Sequence, residues 1–580
     1  MQIYLVKKFV IVVLSLFWLC ALPTTRPTAA QDTPVNAPPS PTEPALPPIE
    51  PIQPERVPEI LEPPLEIDAD VETPAEADDS PEPTVACLPL SNTDENQLNE
   101  VSIEVIDNTV LQAEIAELVS CYEGQSITLS DLFTLRSQIT QLYIDRGYVT
   151  SGAFIPNGQI IDDSVQVQVI EGSLEDVQVN GLSRLREGYV VARIDGVTPL
   201  NQDQLRESLQ LLQLDPNIQE VNAELTAGSR PGQSLLILDL SEPNPFNVFT
   251  GVDNYRSPSI GSEGGNLSAS YRNLLGIGDT LSASYGLTEG LDLYDVGVAF
   301  PFNAKDGTLS LRYSNSDSQI VEDDFEDVGI RSETETVSVG IRQPISRTPS
   351  EEFALGLDFD WRQSQSFILD DIPFSFSEGP EDGRSQVSAV RFSQEWTKRD
   401  ARRVLAARSQ FSVGLDIFDA TINDTGTDAQ FFAWLGQFQW VEQISPEVLS
   451  LVKFNAQLTP DSLLPIERFS LGGLSTVRGY PQNELVADNA LNASVEFRIP
   501  VTRNPNILQI TPFIEAGYGW NTLVADPDPN FLLGTGVGLR WQATPAIFLR
   551  TDYGIPLVNG GDRTGSLQEN GFYFSLTYQP

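Results

Sequence analysis

"GFYFSLTYQP", Gly571–Pro580, closes the chain. On a two-residue period Phe572, Phe574, Leu576 and Tyr578 share one face, while Tyr573, Ser575 and Thr577 share the other. An apolar, aromatic face backed by small polar residues suits a strand with lipid on one side and water on the other. These four apolar residues are expected to form a C-terminal strand that serves membrane insertion. The same alternation recurs upstream. "ALNASVEFRIP" sets Leu491, Ala493, Val495, Phe497 and Ile499 against Asn492, Ser494, Glu496 and Arg498, and "FALGLDFDW" sets Phe353, Leu355, Leu357, Phe359 and Trp361 against Asp358 and Asp360.

From about Pro243 onward such strands return about every 20 residues, and about 16 fit into roughly 335 residues. The pattern predicts a transmembrane β-barrel over 244–580. A soluble sandwich or propeller shares the alternation but turns its polar face outward. After the N-terminal leader no stretch approaches the roughly 18 apolar residues of a membrane helix, so a span must be made by a closed barrel.

The leader reads "MQIYLVKKFVIVVLSLFWLCALPTTRPTAAQD": Lys7 and Lys8, an apolar run from Phe9 to Leu22, then small residues at Thr28 and Ala30. This predicts a secretory signal peptide over 1–30. Residues 31–86 are dense in Pro, Glu and Asp, with Arg56 the one basic residue, and are expected to form an extended linker. Removal of the leader leaves Cys87 and Cys121 in an oxidising compartment, where a disulfide is the natural reading.

Two α/β units follow, over 87–172 and 173–243. The first reads as a strand ("VSIEVID"), a short helix, a longer helix and two strands. Leu132, Leu135, Ile139, Leu142 and Tyr143 share a face of the longer helix, Thr128 and Asp131 can cap it, and Gly147 can end it. The second repeats that order, with Asn201 capping a helix from about Gln202 to Leu214.

A formal net charge of −47 argues against a nucleic-acid partner. The absence of histidine removes the commonest general base and metal ligand, which argues against a hydrolase triad or a zinc site. Carboxylate chemistry stays open on this ground alone, and the expectation is a protein that is not an enzyme and has no cofactor or metal.

The order of signal peptide, proline-rich spacer, two β-α-α-β-β units and a barrel resembles the outer-membrane transporters of two-partner secretion, the haemolysin-activator and filamentous-haemagglutinin exporters. The specific matches are "YIDRGYVTSGAFIP", "VIEG", "LGIGD", "LGGLSTVRGY" and "FIEAGYGW". The resemblance implies that the two units are polypeptide-transport-associated (POTRA) domains. These would lie in the periplasm and capture an unfolded exoprotein, a β-helical adhesin or cytolysin, which the barrel then conducts to the cell surface. It further implies that the loop bearing Arg478, Gly479 and Tyr480 folds into the barrel and pairs Arg478 with Glu515, where the family usually has Asp. Gly517 beside that glutamate would leave room for the loop tip.

Arg146, Gly147 and Tyr148 are either client contacts or a helix stop followed by a core strand. The linker is too rich in proline for a pore-plugging helix. Outer-membrane lipids and a monomeric state complete the expectation. A barrel-assembly or protein-import translocase of the same superfamily is the nearest alternative, and a passive porin is a second.

Overall fold

The computed structural model describes residues 97–98, 101–156, 160–161, 164–194, 198–322, 325, 328–424, 426–558 and 565–580. The predicted signal peptide, the linker and Cys87 lie outside them. Cys121 is disulfide-bonded.

The first unit comprises β1 (Ser102–Ile106), α1 (Gln112–Ser120), α2 (Leu129–Asp145), β2 (Gly152–Phe154) and β3 (Ser164–Ile170). β3 pairs in parallel with β1 and antiparallel with β2. A capping box starts α2: the Thr128 hydroxyl accepts from the Asp131 N–H, and the Asp131 carboxylate accepts from the Thr128 N–H at 2.8 Å. Leu132, Leu135, Ile139 and Tyr143 then face Val165, Val167 and Val169 of β3 in one core. Gly147 ends the helix at φ 84°, a left-handed conformation that lets the Tyr148 N–H reach Tyr143 O at 2.8 Å.

The "VIEG" match acquires a physical meaning here. Glu171 accepts from the Thr109 N–H at 2.6 Å, the Val110 N–H at 3.0 Å and the Tyr143 hydroxyl at 2.9 Å, which ties the start of α1 to α2. Burial by itself would raise this carboxyl, but the bonds from Thr109, Val110 and Tyr143 outweigh it and hold Glu171 below the ordinary glutamate value. A Cβ at Gly172 would lie 1.9 Å from Thr150 Oγ1, so the chain can cross there only as glycine.

The second unit comprises β4 (Ser173–Asn180), α3 (Glu187–Ile194), α4 (Gln202–Gln213), β5 (Glu220–Ala227) and β6 (Gln233–Ser241), with β6 parallel to β4 and antiparallel to β5. Asn201 joins the two units. Its Oδ1 accepts from the Asp203 and Gln204 N–H groups at the start of α4, while its Nδ2 donates to Arg146 O at 2.9 Å. The Gln202 N–H also donates to Gly147 O at 2.8 Å. The C-terminus of α2 and the N-terminus of α4 thus satisfy each other's orphan backbone groups.

The barrel is closed and has 16 antiparallel strands. The first six are β7 (Phe246–Asp253), β8 (Gly264–Arg272), β9 (Thr280–Thr288), β10 (Leu291–Pro301), β11 (Thr308–Gln319) and β12 (Arg331–Arg347). The next five are β13 (Glu351–Ile368), β14 (Arg384–Arg399), β15 (Arg403–Leu415), β16 (Phe432–Ser445) and β17 (Val448–Leu458). A short hairpin, β18 (Phe469–Leu471) with β19 (Leu485–Ala487), stands apart from the wall. The wall resumes with β20 (Asn489–Pro500), β21 (Leu508–Trp520), β22 (Phe531–Thr544), β23 (Ile547–Pro556) and β24 (Phe572–Tyr578). β24 closes on β7 from Thr250 opposite Tyr578 to Asp253 opposite Ser575.

Alternation divides the faces as the sequence predicts. Ile510, Ile514 and Tyr518 of β21 are exposed, whereas Thr511, Phe513 and Glu515 are buried. The second unit docks against one rim of the barrel: the Arg186 N–H donates to Gly276 O at 2.9 Å, and Arg193 pairs with Asp306. The "LGIGD" turn between β8 and β9 is therefore a docking point, on the same rim as the turn between β10 and β11. By strand alternation the segment between β17 and β20 opens on the opposite rim.

Glu171 generates a pH prediction. A carboxyl held low in the fold contributes stability above its unfolded value, near 4.5, and that contribution is lost as pH falls through the lower folded value. Hydrogen exchange of the full-length protein is expected to quicken around α1 and α2 on acidification below about pH 4.5. Glu171→Gln is expected to flatten that dependence; an unchanged pH profile in the variant would refute the assignment.

Candidate functional site

Between β17 and β20 the chain turns into the lumen rather than out of it. Its base is fixed by Asp488, whose carboxylate accepts from the Leu463 N–H at 3.1 Å, Arg468 Nε at 3.1 Å and the Thr522 N–H at 3.0 Å. Phe469, Leu471, Val477, Tyr480 and Leu485 then pack on Leu435 of β16, Ala490 of β20 and Leu532 of β22. At the tip, Thr476 Oγ1 accepts from the Gly472 N–H and donates to Gly472 O, each at 2.8 Å. The hairpin is a packed plug with its own apolar core.

Arg478 projects from this tip and is 2% exposed. Nε and Nη2 donate to Glu515 Oε1 at 3.1 and 2.6 Å, and the Arg478 backbone N–H donates to Glu515 Oε2 at 2.7 Å. Nη1 meets Asp552 of β23 at 2.6 Å and Glu496 of β20 at 2.9 Å. The guanidinium also lies 3.4 Å from the centroid of the Phe513 ring. Arg550 and Arg498 pair with Asp552 and Glu496 in turn, so three guanidiniums balance three carboxylates. The structure thus brings Arg478 and Glu515 together, and it adds Glu496 and Asp552, which the sequence did not single out as partners. Both carry inward-facing charge on alternating strands, a signal that names candidates without choosing among them.

Close approach explains the glycines. Gly479 has φ 102°, and its N–H donates to the Tyr573 hydroxyl at 2.9 Å. A Cβ on Gly534 would fall 2.1 Å from Arg478 O, and one on Gly554 2.3 Å from Gly479 N. At Gly517 the same atom would press on Leu471 and Val477 at 3.1 Å. The Tyr480 hydroxyl donates to Val558 O at 2.7 Å. Tyr573, on the inner face of β24, donates to Tyr480 O at 2.6 Å. Phe572, Phe574, Leu576 and Tyr578 occupy the outer face of the same strand.

A second buried ion cluster holds the other end of the plug. Glu467 accepts from Arg391 Nη2 at 2.7 and 2.9 Å, and Arg391 Nε donates to Asp360 Oδ2 at 2.6 Å. Arg362 Nη1 reaches Ile466 O at 3.1 Å and Glu467 at 3.4 Å. Sequence reading placed Asp360 in the wet interior but did not pair it. The other predicted site residues, Arg146, Gly147 and Tyr148, lie at the joint of the two α/β units, far along the chain from this plug. Arg146 O and Gly147 O are engaged there by Asn201 and Gln202, and Tyr148 packs edge-on to Tyr143 at 5.9 Å.

A family model for "Haemolysin secretion/activation protein ShlB/FhaC/HecB" matches residues 232–541, more than half of the chain. The chain belongs to this family. A ShlB-type POTRA domain model matches residues 98–172, over the first α/β unit. The Escherichia coli outer membrane transporter CdiB is 24% identical over 472 residues, which span 77% of this chain and 76% of CdiB. The heme/hemopexin transporter protein HuxB of Haemophilus influenzae is 21% identical over 437 residues, spanning 72% of this chain and 75% of HuxB. The solved structure of Escherichia coli CdiB superposes with a TM-score of 0.65 at 22% identity, covering 86% of this chain and 93% of that one, and shares the fold. This ShlB/FhaC/HecB-family protein is an outer-membrane protein translocase of the two-partner secretion class, with its POTRA domains in the periplasm.

Two variants separate the contacts of the plug. Tyr573→Phe removes the buried hydroxyl that accepts from the Gly479 N–H and donates to Tyr480 O, at a cost of about 1–2 kcal/mol. The frequency of channel opening in planar bilayers is expected to rise roughly 5- to 30-fold. Glu467→Gln strips Arg391 and Arg362 of a buried counter-charge, at about 3–5 kcal/mol. It is expected to make the segment around residue 465 protease-sensitive while the barrel keeps its heat-modifiable migration. Wild-type resistance to protease would contradict that role for Glu467.

Proposed function

We propose that this transporter exports one cognate, unfolded exoprotein, a β-helical adhesin or cytolysin, and that the Arg478 plug holds the barrel shut until that client arrives. The observation that carries the reading is a plug pinned at two balanced ion clusters within the lumen, above a POTRA unit bonded to the periplasmic turns. A passive porin has no use for either feature. The reaction is transport without covalent chemistry, and it calls for no cofactor.

The division into POTRA domains over 87–172 and 173–243 and a barrel over 244–580 follows this reading. The first unit receives the client, and Arg146, Gly147 and Tyr148 set the angle at which the two units present their strand edges to it. A disulfide between Cys87 and Cys121 staples the start of the first unit. The outward aromatic face of β24 directs insertion among outer-membrane lipids, and the protein acts as a monomer because its barrel closes on itself.

Arg478 is the residue to test. Removing it leaves Glu515, Glu496 and Asp552 buried without their shared cation, at about 3–5 kcal/mol. Arg478→Ala is expected to reduce secretion of the cognate exoprotein at least tenfold at normal outer-membrane abundance, with Arg478→Lys intermediate because it loses the forked geometry. Normal secretion by the alanine variant would sink the proposal.

A further inference from the structure

Within the translocase reading above, the lumen has two unlike walls. The plug contacts run along the strands from β13 round to β24: Asp360 and Arg362 on β13, Arg391 on β14, Glu496 on β20, Glu515 on β21, Asp552 on β23 and Tyr573 on β24. Strands β8, β9, β11 and β12 carry a different chemistry on their inner faces, on either side of β10, whose inner face holds Leu291, Leu293 and Asp295. Ser270 lies opposite Ser282, Ser314 opposite Thr336, and Ser318 opposite Ser332. Their sequence neighbours fix the facing: Leu267, Leu287, Val339 and Ile341 are exposed on the lipid side of these strands. All six hydroxyl residues are half-buried, open in part to the lumen. Of the charges set among them, Arg312 Nε is bonded to Asp295 Oδ2 at 2.6 Å, and Arg272, at the end of β8 next to the docked unit, reaches Pro216 O at 3.5 Å.

We propose that this hydroxyl-lined wall is the track along which the client passes, as an extended polypeptide. Two observations single out that occupant. The wall stands directly on the two turns to which the second POTRA unit is bonded, through Gly276 below β8 and β9 and through Asp306 below β10 and β11. A chain released by that unit therefore meets Ser270 and Ser282 first and Ser318 and Ser332 last, at the extracellular ends of β11 and β12. The chemistry also matches. An extended chain offers rows of unpaired N–H and C=O groups, and a hydroxyl rotates to accept from one or donate to the other. Such a surface has no preference for client sequence, adds no net charge to repel acidic or basic stretches, and holds each group weakly enough to let it go.

The test uses the full-length protein in planar bilayers, as wild type and with the plug released by Arg478→Ala. The probe is a peptide of Gly, Ser, Asn and Gln of about 30 residues, long enough to span the barrel when extended at about 3.3 Å per residue. Added on the POTRA side, it is expected to block the current transiently. Combining Ser314→Ala, Ser318→Ala, Ser332→Ala and Thr336→Val should shorten the blocks at least threefold. Ser575→Ala with Thr577→Val, on the inner face of β24, should leave them unchanged.

As a second measurement that leaves the remaining hydroxyls in place, a photo-crosslinking residue at Thr336 should capture the peptide, and one at Thr577 should not. Blocks that ignore the loss of the hydroxyls, or equal capture at both positions, overturn the track alone. An ion-conducting channel that the peptide never blocks overturns the translocase reading, and the track with it.

Discussion

A guanidinium inside a protein-filled lumen cannot stay unpaired, because the surrounding walls and plug deny it the water that would solvate it. That constraint on Arg478 organises the barrel's C-terminal half. Glu496, Glu515 and Asp552 come from three different strands, so the arginine can be satisfied only when β20, β21 and β23 stand in register around it. The plug therefore depends on the wall, and the wall's inner charges depend on the plug. Such a pairing is poor evidence of net stability but strong specification of one arrangement.

The same plug reaches the seam where the barrel closes. Tyr573 on β24 bonds both Gly479 and Tyr480. Gln568, just before that strand, accepts from the Gln482 N–H at 2.6 Å and donates to Asn254 O at 2.7 Å, beyond the end of β7. Asn254 continues the pairing past the last ladder residues, with its side chain bonded to Phe572 O and the Phe574 N–H. First strand, last strand and plug are thereby one hydrogen-bonded unit, and moving the plug disturbs the closure of the barrel.

The periplasmic half is built on a parallel economy of orphan groups. Asn201 serves as the cap of one helix and as a partner for the carbonyl that ends another. Gly147 is required there as a helix stop, and its exposed carbonyl becomes the acceptor for the next unit. A motif that reads locally as a turn is at the same time the joint between two domains.

Much of this was legible in the chain alone. Alternation such as that of Phe572 to Tyr578 depends only on the two-residue period of a strand, so it marked the barrel and assigned its faces. The capping residues Thr128, Asp131 and Asn201 act within a few positions of themselves and were equally plain. Resemblance led to Arg478 and Glu515. The partners Asp552 and Glu496, the second cluster of Arg391, Asp360 and Glu467, and the bonds of Tyr573 were not legible, nor was the docking role of the turn at Gly276. Each joins residues from strands distant in sequence, and an inward-facing charge looks the same whichever partner it will meet. The sequence determined which side chains face the lumen; only the curvature and register of the closed barrel decided which of them meet there, because a buried charge takes the partner that the fold brings within hydrogen-bonding reach.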